Sequence, residues 1–243
     1  MHILKERWLM KISIIIPAKN EEANIYRLIS EIPLQVFEVI VIDGNSVDNT
    51  YNIAKSHPNC TKVVRQTAKG KGAALSRGFA ESSGDIIITL DADGSTNPNE
   101  IPIFIHEING GANLVKGSRK IRNGGSEDLT IFRDLGNLFL TSVANILFKS
   151  KWTDLAYGYL AMSRELLDEL KIDKFDGEYS SKLKYGQGFE IESLICCRTA
   201  KLGYQIKEVA SFERSRWSGS SNLKSIPDGF RALFSIIKER IKN

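Results

Sequence analysis

The sequence predicts an α/β protein whose mostly parallel sheet is flanked by helices, and three observations support this fold class. Between residues 12 and 109, four short apolar runs alternate with four segments of helical apolar spacing. The runs contain few polar residues, which is typical of strands buried on both faces of a sheet. Their alternation with helices predicts right-handed crossovers between parallel strands.

The elements of this first half follow from the positions of apolar runs and turn formers. The first strand is predicted to stop at Pro17, and Asn20 is predicted to cap the helix that follows. Asp48 or Ser46 is predicted to cap the second helix. The predicted strands are residues 12–16, 37–42, 61–66 and 86–90, and the predicted helices cover residues 25–32, a segment ending near 56, and residues 73–83 and 99–109.

Polar side chains follow three of these strands at the points where the strands end. They are Asn20 and Glu22 after the first strand, Asp43 and Ser46 after the second, and Asp91 and Asp93 after the fourth. In open sheets of this kind, ligands bind outside the carboxyl ends of the strands. The sequence therefore predicts a ligand site at this edge of the sheet.

Asp91 and Asp93 are the candidate metal ligands of that site. Two carboxylates spaced i and i+2 at a strand end suit Mg²⁺ or Mn²⁺, which take oxygen ligands and share their shell with a phosphate substrate. The alternative is that both are solvated turn carboxylates that cap the following segment.

The second half of the chain mixes shorter elements with polar loops. Residues 116–122 form a basic loop that either clamps phosphate or is simply solvated, and residues 123–126 are predicted to be flexible. Glu190 and Glu192 fall in the first turn of a predicted helix, where they would complement its dipole. Further predictions are strands at 112–117 and 205–209, helices at 164–170 and 189–202, a short strand before residue 164, and a loop at 178–188.

Two apolar helices raise the question of a membrane surface. Residues 135–148 carry no charge and are predicted to form either a buried helix or one that lies in a membrane interface. From residue 227 a basic amphipathic helix either lies on an anionic membrane or covers the core. Its predicted apolar face consists of Phe230, Leu233, Phe234, Ile237 and Ile241.

Composition limits the partners and the compartment. The 243 residues carry a formal charge of +4, and residues 214–243 hold seven Lys and Arg against Asp228 and Glu239, so anionic partners are expected. Three cysteines without metal-ligand spacing favour a reducing, cytoplasmic compartment. The first nine residues fit no pattern, with no signal peptide expected, and no apolar run reaches the roughly 18–20 residues of a membrane span.

Together these motifs resemble the family 2 glycosyltransferases of the GT-A fold, and among them the polyprenyl-phosphate sugar transferases such as dolichol-phosphate mannose synthases. The resembling segments occur in the family's order and cover nearly the whole chain. They are residues 13–22, 39–50, 69–73, 91–93, 116–119, 153–154 with 158–159, 188–192 and 216–223. The chain departs from the family pattern at Gly44, where a second acidic residue is usual, and at Asn222, where Lys is frequent.

The resemblance implies a single GT-A domain with assigned halves and site residues. Residues 11–110 would be the nucleotide-binding half and 111–226 the acceptor-binding half, between an extension at 1–10 and the helix at 227–243. Asp91 and Asp93 would hold the metal and the donor diphosphate. The nucleotide would contact Pro17, Ala18, Asn20, Glu22, Asp43, Ser46 and Lys71. Acceptor and phosphate contacts would come from Arg119, Arg133, Arg216 and Ser220.

The implied reaction is an inverting transfer from a nucleotide-sugar, of the GDP-mannose or UDP-glucose type, to a polyprenyl phosphate. A peripheral enzyme at the cytoplasmic face of a membrane is expected, with no nucleic-acid partner. Asp154 is the candidate acceptor-side carboxylate, either orienting the acceptor or serving as a base. Two alternatives stay open: a transferase of the same fold that uses a soluble or glycan hydroxyl acceptor, and a non-catalytic nucleotide-sugar-binding protein.

Overall fold

The computed structural model describes residues 10–172 and 186–242, and a seven-stranded sheet organises them. The strands are β1 (Ile12–Ala18), β2 (Glu38–Asp43), β3 (Lys62–Arg65), β4 (Ile86–Thr89), β5 (Leu114–Ser118), β6 (Gly125–Ser126), β7 (Leu160–Ser163), β8 (Ile206–Ala210) and β9 (Phe212–Glu213). The helices are α1 (Ile25–Glu31), α2 (Thr50–Ser56), α3 (Lys71–Glu81), α4 (Ile101–Asn109), α5 (Ile131–Phe148), α6 (Arg164–Leu170), α7 (Ile191–Leu202) and α8 (Ser225–Ile241).

The large sheet is mixed but mostly parallel, which confirms the predicted class. Its order is β3-β2-β1-β4-β7-β5-β8. The first four strands run parallel, β7 is antiparallel to both β4 and β5, and β8 is parallel to β5. The parallel strands β1, β2 and β4 therefore present their carboxyl ends at one edge of the sheet.

Strand β1 shows how the sheet buries two separate cores. Successive side chains of a strand point to opposite faces. Ile15 accordingly packs with Leu75 and Phe79 of α3, whereas Ile14 belongs to the other core with Phe104 of α4. Both faces of the sheet are buried, as the near-continuous apolar strands predict.

Pro17 does not end the first strand, contrary to the sequence-based prediction. Strand β1 continues to Ala18, with Pro17 opposite Ile42 of β2. The Ile15 carbonyl accepts from the Leu90 N–H, so the backbone polar groups of residue 15 point toward β4. Those of residue 17, two positions later, point to the same side. Strand β4 has ended at Thr89 there, and the missing proline N–H leaves no ladder partner unmatched.

The predicted cap at Asn20 is wrong, and the reason is a contact between loops. Helix α1 begins after Asn24, while Asn20 has a φ of 57° and its Oδ1 accepts from the Val47 N–H at 3.0 Å. Asn49 is the residue that precedes α2. The predicted cap at Asp48 or Ser46 is therefore wrong: Asn49 is the N-cap and makes no side-chain cap hydrogen bond, and Asp48, one position earlier, accepts from the Thr50 N–H at 3.0 Å.

The segments predicted to be loops at 116–122 and 123–126 are partly strands. Lys116 lies in β5, is completely buried, and donates from Nζ to the Tyr157 carbonyl. Gly125 and Ser126 form β6, which pairs in parallel with β9. Of the loop predicted at 178–188, only residues 186–188 belong to the described part of the chain, and residues 1–9 lie outside it as well.

Helix α5 starts earlier than predicted and is mostly exposed. Thr130 caps it by accepting from the Arg133 N–H at 3.3 Å, so the helix includes a charged first turn. Its buried residues are Asn137, Leu140, Thr141 and Ala144, so the first of the two predicted alternatives, a buried helix, is wrong.

Helix α5 has 18 residues, but its uncharged run is still residues 135–148, because Arg133 and Asp134 lie in its first turn. Among the described residues it is the one helix that meets the length and composition needed to cross a membrane, a test that core helices also pass. Only 22% of the helix is buried.

Helix α8 packs on the protein through a face that differs from the predicted apolar face. It buries Ala232, Ser235, Ile236 and Glu239, and it packs against α7 and α5. Glu239 accepts from Arg198 at 2.9 Å and 3.0 Å, which anchors α8 to α7. In the predicted apolar face, Phe230, Phe234, Ile237 and Ile241 are exposed.

Candidate active site

The loops after β1 and β2 hold each other in place at the sheet edge. The Asn20 N–H donates to Ser46 Oγ at 3.0 Å, and the Asn49 N–H donates to Glu22 Oε2 at 2.9 Å. Asp43 is buried and accepts from the Ser46 N–H at 3.3 Å. The structure therefore brings together the residues predicted to bind the nucleotide. Their polar groups, however, form hydrogen bonds within and between these two loops.

Lys71 joins the first carboxylate of the Asp-x-Asp pair to a second acidic side chain. Its Nζ lies 2.6 Å from Asp91 Oδ1 and 2.7 Å from Glu192 Oε1. Burial alone would lower the pKa of Lys71, but the two carboxylates outweigh it and raise that pKa. Burial raises the pKa of Glu192, against the opposing effect of Lys71.

Glu192 is a site residue whose position the sequence pattern misassigned. Its place in the first turn of α7 suggested a dipole role, but its carboxylate reaches across to Lys71 at the start of α3. Gly158 permits this approach, because a Cβ atom there would lie 2.8 Å from Glu192 Oε1 and 3.0 Å from Lys71 Nζ. The sequence did carry a signal for Glu192, because segment 188–192 is one of those that resemble the family pattern. Glu190 instead accepts from the backbone N–H groups of residues 186 and 188.

Asp93 pairs with Arg216 from the C-terminal part of the chain. Arg216 Nη2 lies 2.7 Å from Asp93 Oδ2, and its Nη1 lies 3.0 Å from Glu21 Oε1. Burial raises the pKa of Glu21, although Asn24 and Arg216 oppose that rise. Glu21 lies in the resembling segment 13–22 but was not assigned a role, because only the fold brings residues 21 and 216 together.

Arg119 and Asp154 form a buried ion pair in place of two free site groups. Asp154 is completely buried and accepts from Arg119 Nε at 2.7 Å, from Arg119 Nη2 at 2.9 Å and from Asn137 Nδ2 at 2.8 Å. The remaining Arg119 Nη1 donates to Glu213 at 3.0 Å. Burial would raise the pKa of Asp154, but Arg119 outweighs burial and lowers it. An ionised, enclosed carboxylate of this kind fits a positioning role better than a base.

Arg133 is less tightly held than Arg119. Its Nη1 lies 3.5 Å from Asp128 and its Nε lies 3.4 Å from Ser225 Oγ, both at the long end for such contacts. Arg133 lies in the first turn of α5. Ser220, the remaining predicted acceptor residue, is exposed.

One cavity of about 680 Å³ opens at this sheet edge. The predicted site residues that line it are Pro17, Ala18, Lys71, Asp91, Asp93, Arg119, Arg133 and Arg216. The other predicted residues, which lie outside this lining, are Asn20, Glu22, Asp43, Ser46, Asp154 and Ser220. The structure thus gathers six of the nine charged residues of the predicted set around one space.

The carboxylates of this cavity fit a divalent cation that is shared with a substrate. The ion pairs at Lys71 and Arg216 contain four carboxylates, those of Asp91, Asp93, Glu21 and Glu192, against two cations. Over the whole lining seven acidic residues face six basic ones, so an excess of negative charge remains when all are ionised. The described residues contain no group of three or more His, Cys, Asp or Glu that could hold a metal alone. Two aspartates that complete a cation's shell with phosphate oxygens are the arrangement that Mg²⁺ usually adopts.

Gly94 fixes the loop that carries Asp93. Its φ is +82°, and a Cβ atom there would lie 2.2 Å from the Trp217 ring. The backbone N–H of Trp217 in turn donates to the Asp93 carbonyl at 3.1 Å. A side chain at residue 94 would therefore push this loop away from Trp217.

We expect Gly94→Ala to destabilise the fold by about 1–3 kcal/mol, because it combines a left-handed backbone with a steric clash. Urea denaturation measures the change. Gly110→Ala is the matched control, since residue 110 has a φ of −77° and a Cβ atom there would lie 3.3 Å from the Glu107 carbonyl oxygen, so the loss of stability should stay below about 1 kcal/mol. Equal stability of the two variants would contradict this role of Gly94.

Fold and cavity together define an α/β protein with an acidic ligand site at the carboxyl ends of its parallel strands. The family model described as glycosyl transferase family 2 matches residues 13–171, which is more than half of the chain. The chain belongs to glycosyl transferase family 2, as its motifs predicted.

Two similar proteins are named as lipid-phosphate mannosyltransferases. The dolichol-phosphate mannosyltransferase of Pyrococcus furiosus is 31% identical over 201 residues, covering 75% of this chain and 55% of the relative. The undecaprenyl-phosphate mannosyltransferase of Micrococcus luteus is 28% identical over 225 residues, covering 88% of each chain. The chain thus spans only about half the length of the Pyrococcus relative.

Solved structures of similar fold confirm the GT-A architecture. Glucosyl-3-phosphoglycerate synthase of Mycobacterium tuberculosis, in complex with Mn²⁺, UDP and glucosyl-3-phosphoglycerate, superposes with a TM-score of 0.73 at 26% identity. The match covers 97% of this chain and 81% of that one. A complex of the same synthase with Mg²⁺ and UDP gives a TM-score of 0.74 at 25% identity.

Proposed function

We propose that this protein transfers a sugar from a nucleotide-sugar to a polyprenyl phosphate, with inversion at the anomeric carbon. One observation carries the proposal: the cavity that contains Asp91 and Asp93 continues between α5 and α8, two helices with exposed apolar faces. A diphosphate donor suits the charged end, and an amphiphilic acceptor suits the apolar end. The names of the two mannosyltransferases support this choice.

The donor side of the cavity would bind and neutralise the leaving group. Mg²⁺ or Mn²⁺ held by Asp91 and Asp93 would supply Lewis-acid stabilisation of the departing nucleoside diphosphate. Lys71 and Arg216 lie 2.6 Å and 2.7 Å from these carboxylates, so both cations reach the same diphosphate. Pro17 and Ala18 line the cavity beside them and would contact the nucleoside. The nucleotide is of the GDP or UDP type.

The acceptor side needs no general base if the acceptor is a phosphate. A phosphate monoester has a second pKa near 6, so it is largely a dianion at neutral pH and attacks as it stands. Asp154 would then act through Arg119, whose guanidinium donates two hydrogen bonds to it, and not on the acceptor itself. Direct displacement at the anomeric carbon inverts its configuration.

A soluble acceptor is the second candidate, and the solved structures favour it. The Mycobacterium tuberculosis synthase binds phosphoglyceric acid together with UDP and Mn²⁺. A small phosphorylated acceptor would use Arg133 in the same way as a lipid phosphate but would leave the apolar end of the cavity unused. A third candidate is a non-catalytic nucleotide-sugar-binding protein: Gly44 and Asn222, the two departures from the family pattern, line the cavity, but so do Asp91, Asp93 and Arg119, which favour catalysis.

Titration calorimetry with GDP and UDP, with and without Mn²⁺, tests the donor side. We expect one nucleotide to bind at least about tenfold more tightly when the metal is present. Slow metal-dependent hydrolysis of the matching nucleotide-sugar should accompany binding. Metal-independent binding without hydrolysis would favour the non-catalytic candidate.

The exposed faces of α5 and α8 would place the enzyme on a membrane, at its cytoplasmic side. On α5 these residues include Ile131, Phe132, Leu135, Leu138 and Phe139, and on α8 Ile226, Phe230 and Phe234. Exposed apolar surface on two packed helices marks an interaction site. Basic residues near the end of α8 suit anionic lipid headgroups.

We expect the double variant Phe230→Ser, Phe234→Ser to bind vesicles of anionic lipid at least about tenfold more weakly than wild type. The two rings are 69% and 50% exposed, and loss of their burial in lipid removes about 2 kcal/mol or more. Vesicle flotation measures the change, with Val47→Ser as control, since Val47 is 92% exposed on a distant loop. Undiminished flotation of the double variant would contradict the membrane surface.

A further inference from the structure

The aromatic ring of Tyr157 packs against the flat face of the Arg119 guanidinium. The Cζ atom of Arg119 lies over this ring, 4.8 Å from its centre. Both side chains line the cavity, yet Tyr157 is only 2% exposed and the Arg119 side chain only 7%. An aromatic face attracts a cation placed over it, and the attraction is strongest when both groups are removed from water. The contact therefore holds Arg119 by its face.

Arg119 keeps hydrogen-bond donors for a ligand. A guanidinium has five N–H donors in one plane. Within the described part of the chain, the side-chain bonds of Arg119 use three of them: Nε and Nη2 donate to Asp154, and Nη1 donates to Glu213. One N–H on each of Nη1 and Nη2 is left, so two donors remain at the cavity that Arg119 lines.

The direction of these two donors depends on the tilt of the guanidinium plane. Asp154 and Glu213 hold the edge of the plane through hydrogen bonds. Hydrogen bonds tolerate a broad range of angles at the acceptor oxygen, so contacts at the edge alone leave the plane free to tilt. A ring packed against one face restricts that tilt. Tyr157 thus supplies a constraint that the two carboxylates do not.

Tyr157 is itself held on several sides. Its hydroxyl lies 3.2 Å from Ser211 Oγ, which donates to Glu100 Oε2 at 2.5 Å. Lys116 donates from Nζ to the Tyr157 carbonyl. A Cβ atom at Gly117 would lie 3.0 Å from Tyr157 Cε1, so glycine at residue 117 leaves the ring its place. The ring is therefore a fixed support and not a mobile side chain of the cavity wall.

We infer that Tyr157 is a positioning residue for sugar transfer, whose ring sets the plane of Arg119 so that its two remaining N–H groups face the phosphate of the acceptor. The inference rests on the proposed function, because it takes Arg119 as a ligand of that phosphate. It applies equally to a lipid phosphate and to a small phosphorylated acceptor, since the ring acts on Arg119 and not on the rest of the acceptor. The donor nucleotide would not depend on it.

Removal of the aromatic face, with most of the side-chain volume kept, tests this role. Tyr157→Met puts an unbranched apolar chain into the same space, to which it can adapt. Transfer is measured with polyprenyl phosphate and with phosphoglyceric acid, and the binding of GDP and UDP with Mn²⁺ is measured by calorimetry. We expect KM for the acceptor that the wild type uses to rise about tenfold, and Kd for the nucleotide to change less than about twofold.

Two further substitutions separate the aromatic face from the hydroxyl and from the fold. Tyr157→Phe keeps the face and loses only the hydroxyl, so its KM for the acceptor should rise less than about threefold. Pentafluorophenylalanine at residue 157 keeps the shape of Phe but withdraws electrons from the ring face, so KM should rise about tenfold as in Tyr157→Met. Because this residue preserves the packing of Phe, it also serves as the test if Tyr157→Met does not fold.

Tyr51→Met is the matched control. It removes the ring that lies 4.6 Å from the Arg65 guanidinium, in a pair outside the cavity lining, and should change neither KM nor Kd. An unchanged acceptor KM with pentafluorophenylalanine at residue 157, in an enzyme whose wild type is active, would overturn the positioning role and leave the proposed function intact. An equal rise in acceptor KM and nucleotide Kd would also overturn it, as general distortion. Failure of the wild type to use either phosphate acceptor would instead contradict the proposed function.

Discussion

Asp91→Asn and Asp93→Asn should each lower kcat/KM for sugar transfer by roughly a thousandfold or more while the protein stays folded. Each substitution removes one negative oxygen ligand from the cation that would neutralise the leaving diphosphate. Loss of a single electrostatic contact at a developing charge commonly costs 10²–10³ in rate, and a weakened cation adds to that loss. The measurement is steady-state transfer with saturating Mn²⁺, alongside a thermal unfolding curve.

The ion pairs explain why the fold should survive these changes. Without the Asp91 charge, Lys71 still has Glu192 at 2.7 Å, and without the Asp93 charge, Arg216 still has Glu21 at 3.0 Å. Asp85→Asn is a suitable control, because Asp85 accepts from the Lys11 N–H at the opposite end of β4 and is exposed. Near-normal transfer by either site variant would refute the assignment of Asp91 and Asp93 to the cation and diphosphate.

Asp154→Asn should destabilise the protein by about 3–5 kcal/mol at neutral pH, the usual cost of removing one partner from a buried ion pair. Asp154 is completely buried, and the substitution leaves the Arg119 guanidinium with only Glu213 as a charged partner. Urea denaturation measures the loss. Lys120→Gln, in the exposed pair with Asp134, should change stability by less than about 0.5 kcal/mol.

The same pair predicts a pH dependence. The pKa of Asp154 is lower in the folded protein than its ordinary value of 3.8, so the unfolded state binds its proton first as the pH falls. The stabilisation by Asp154 is complete above pH 3.8 and is lost as the pH falls from there through the folded pKa. The difference between wild type and Asp154→Asn should therefore shrink in this acid range. A difference that does not depend on pH would contradict an ionised Asp154.

The sequence predicted the part of the fold that local patterns determine. Near-continuous apolar runs identified β1, β2 and β4 to within a few residues, since strands buried on both faces leave no room for polar side chains. The pairing of Asp91 and Asp93 at the end of β4 followed from the same pattern. Their common cavity with Lys71 could be expected because parallel strand ends and helix starts meet at one edge of the sheet.

Contacts between distant parts of the chain could not be predicted in this way. Asn20 has the residue type of a helix cap, but its partner is Val47, and only the pairing of β1 with β2 brings those loops together. Nothing in the sequence indicates that Asp154 has a charged partner, yet Arg119, the residue after β5, donates to it from Nε. The prediction that α8 is a helix was correct, but the spacing of its apolar residues does not show which of its faces packs against other helices.

Transfer of radiolabelled sugar to polyprenyl phosphate, followed by extraction into organic solvent, tests the proposed function most directly. The assay uses a panel of GDP- and UDP-sugars, with Mn²⁺ or chelator, and offers phosphoglyceric acid as a competing soluble acceptor. The proposal predicts that label enters the organic phase with one donor, that chelator abolishes this transfer, and that Asp91→Asn does the same. Label that stays in the aqueous phase as a phosphoglyceric acid conjugate, with none extracted, would contradict it.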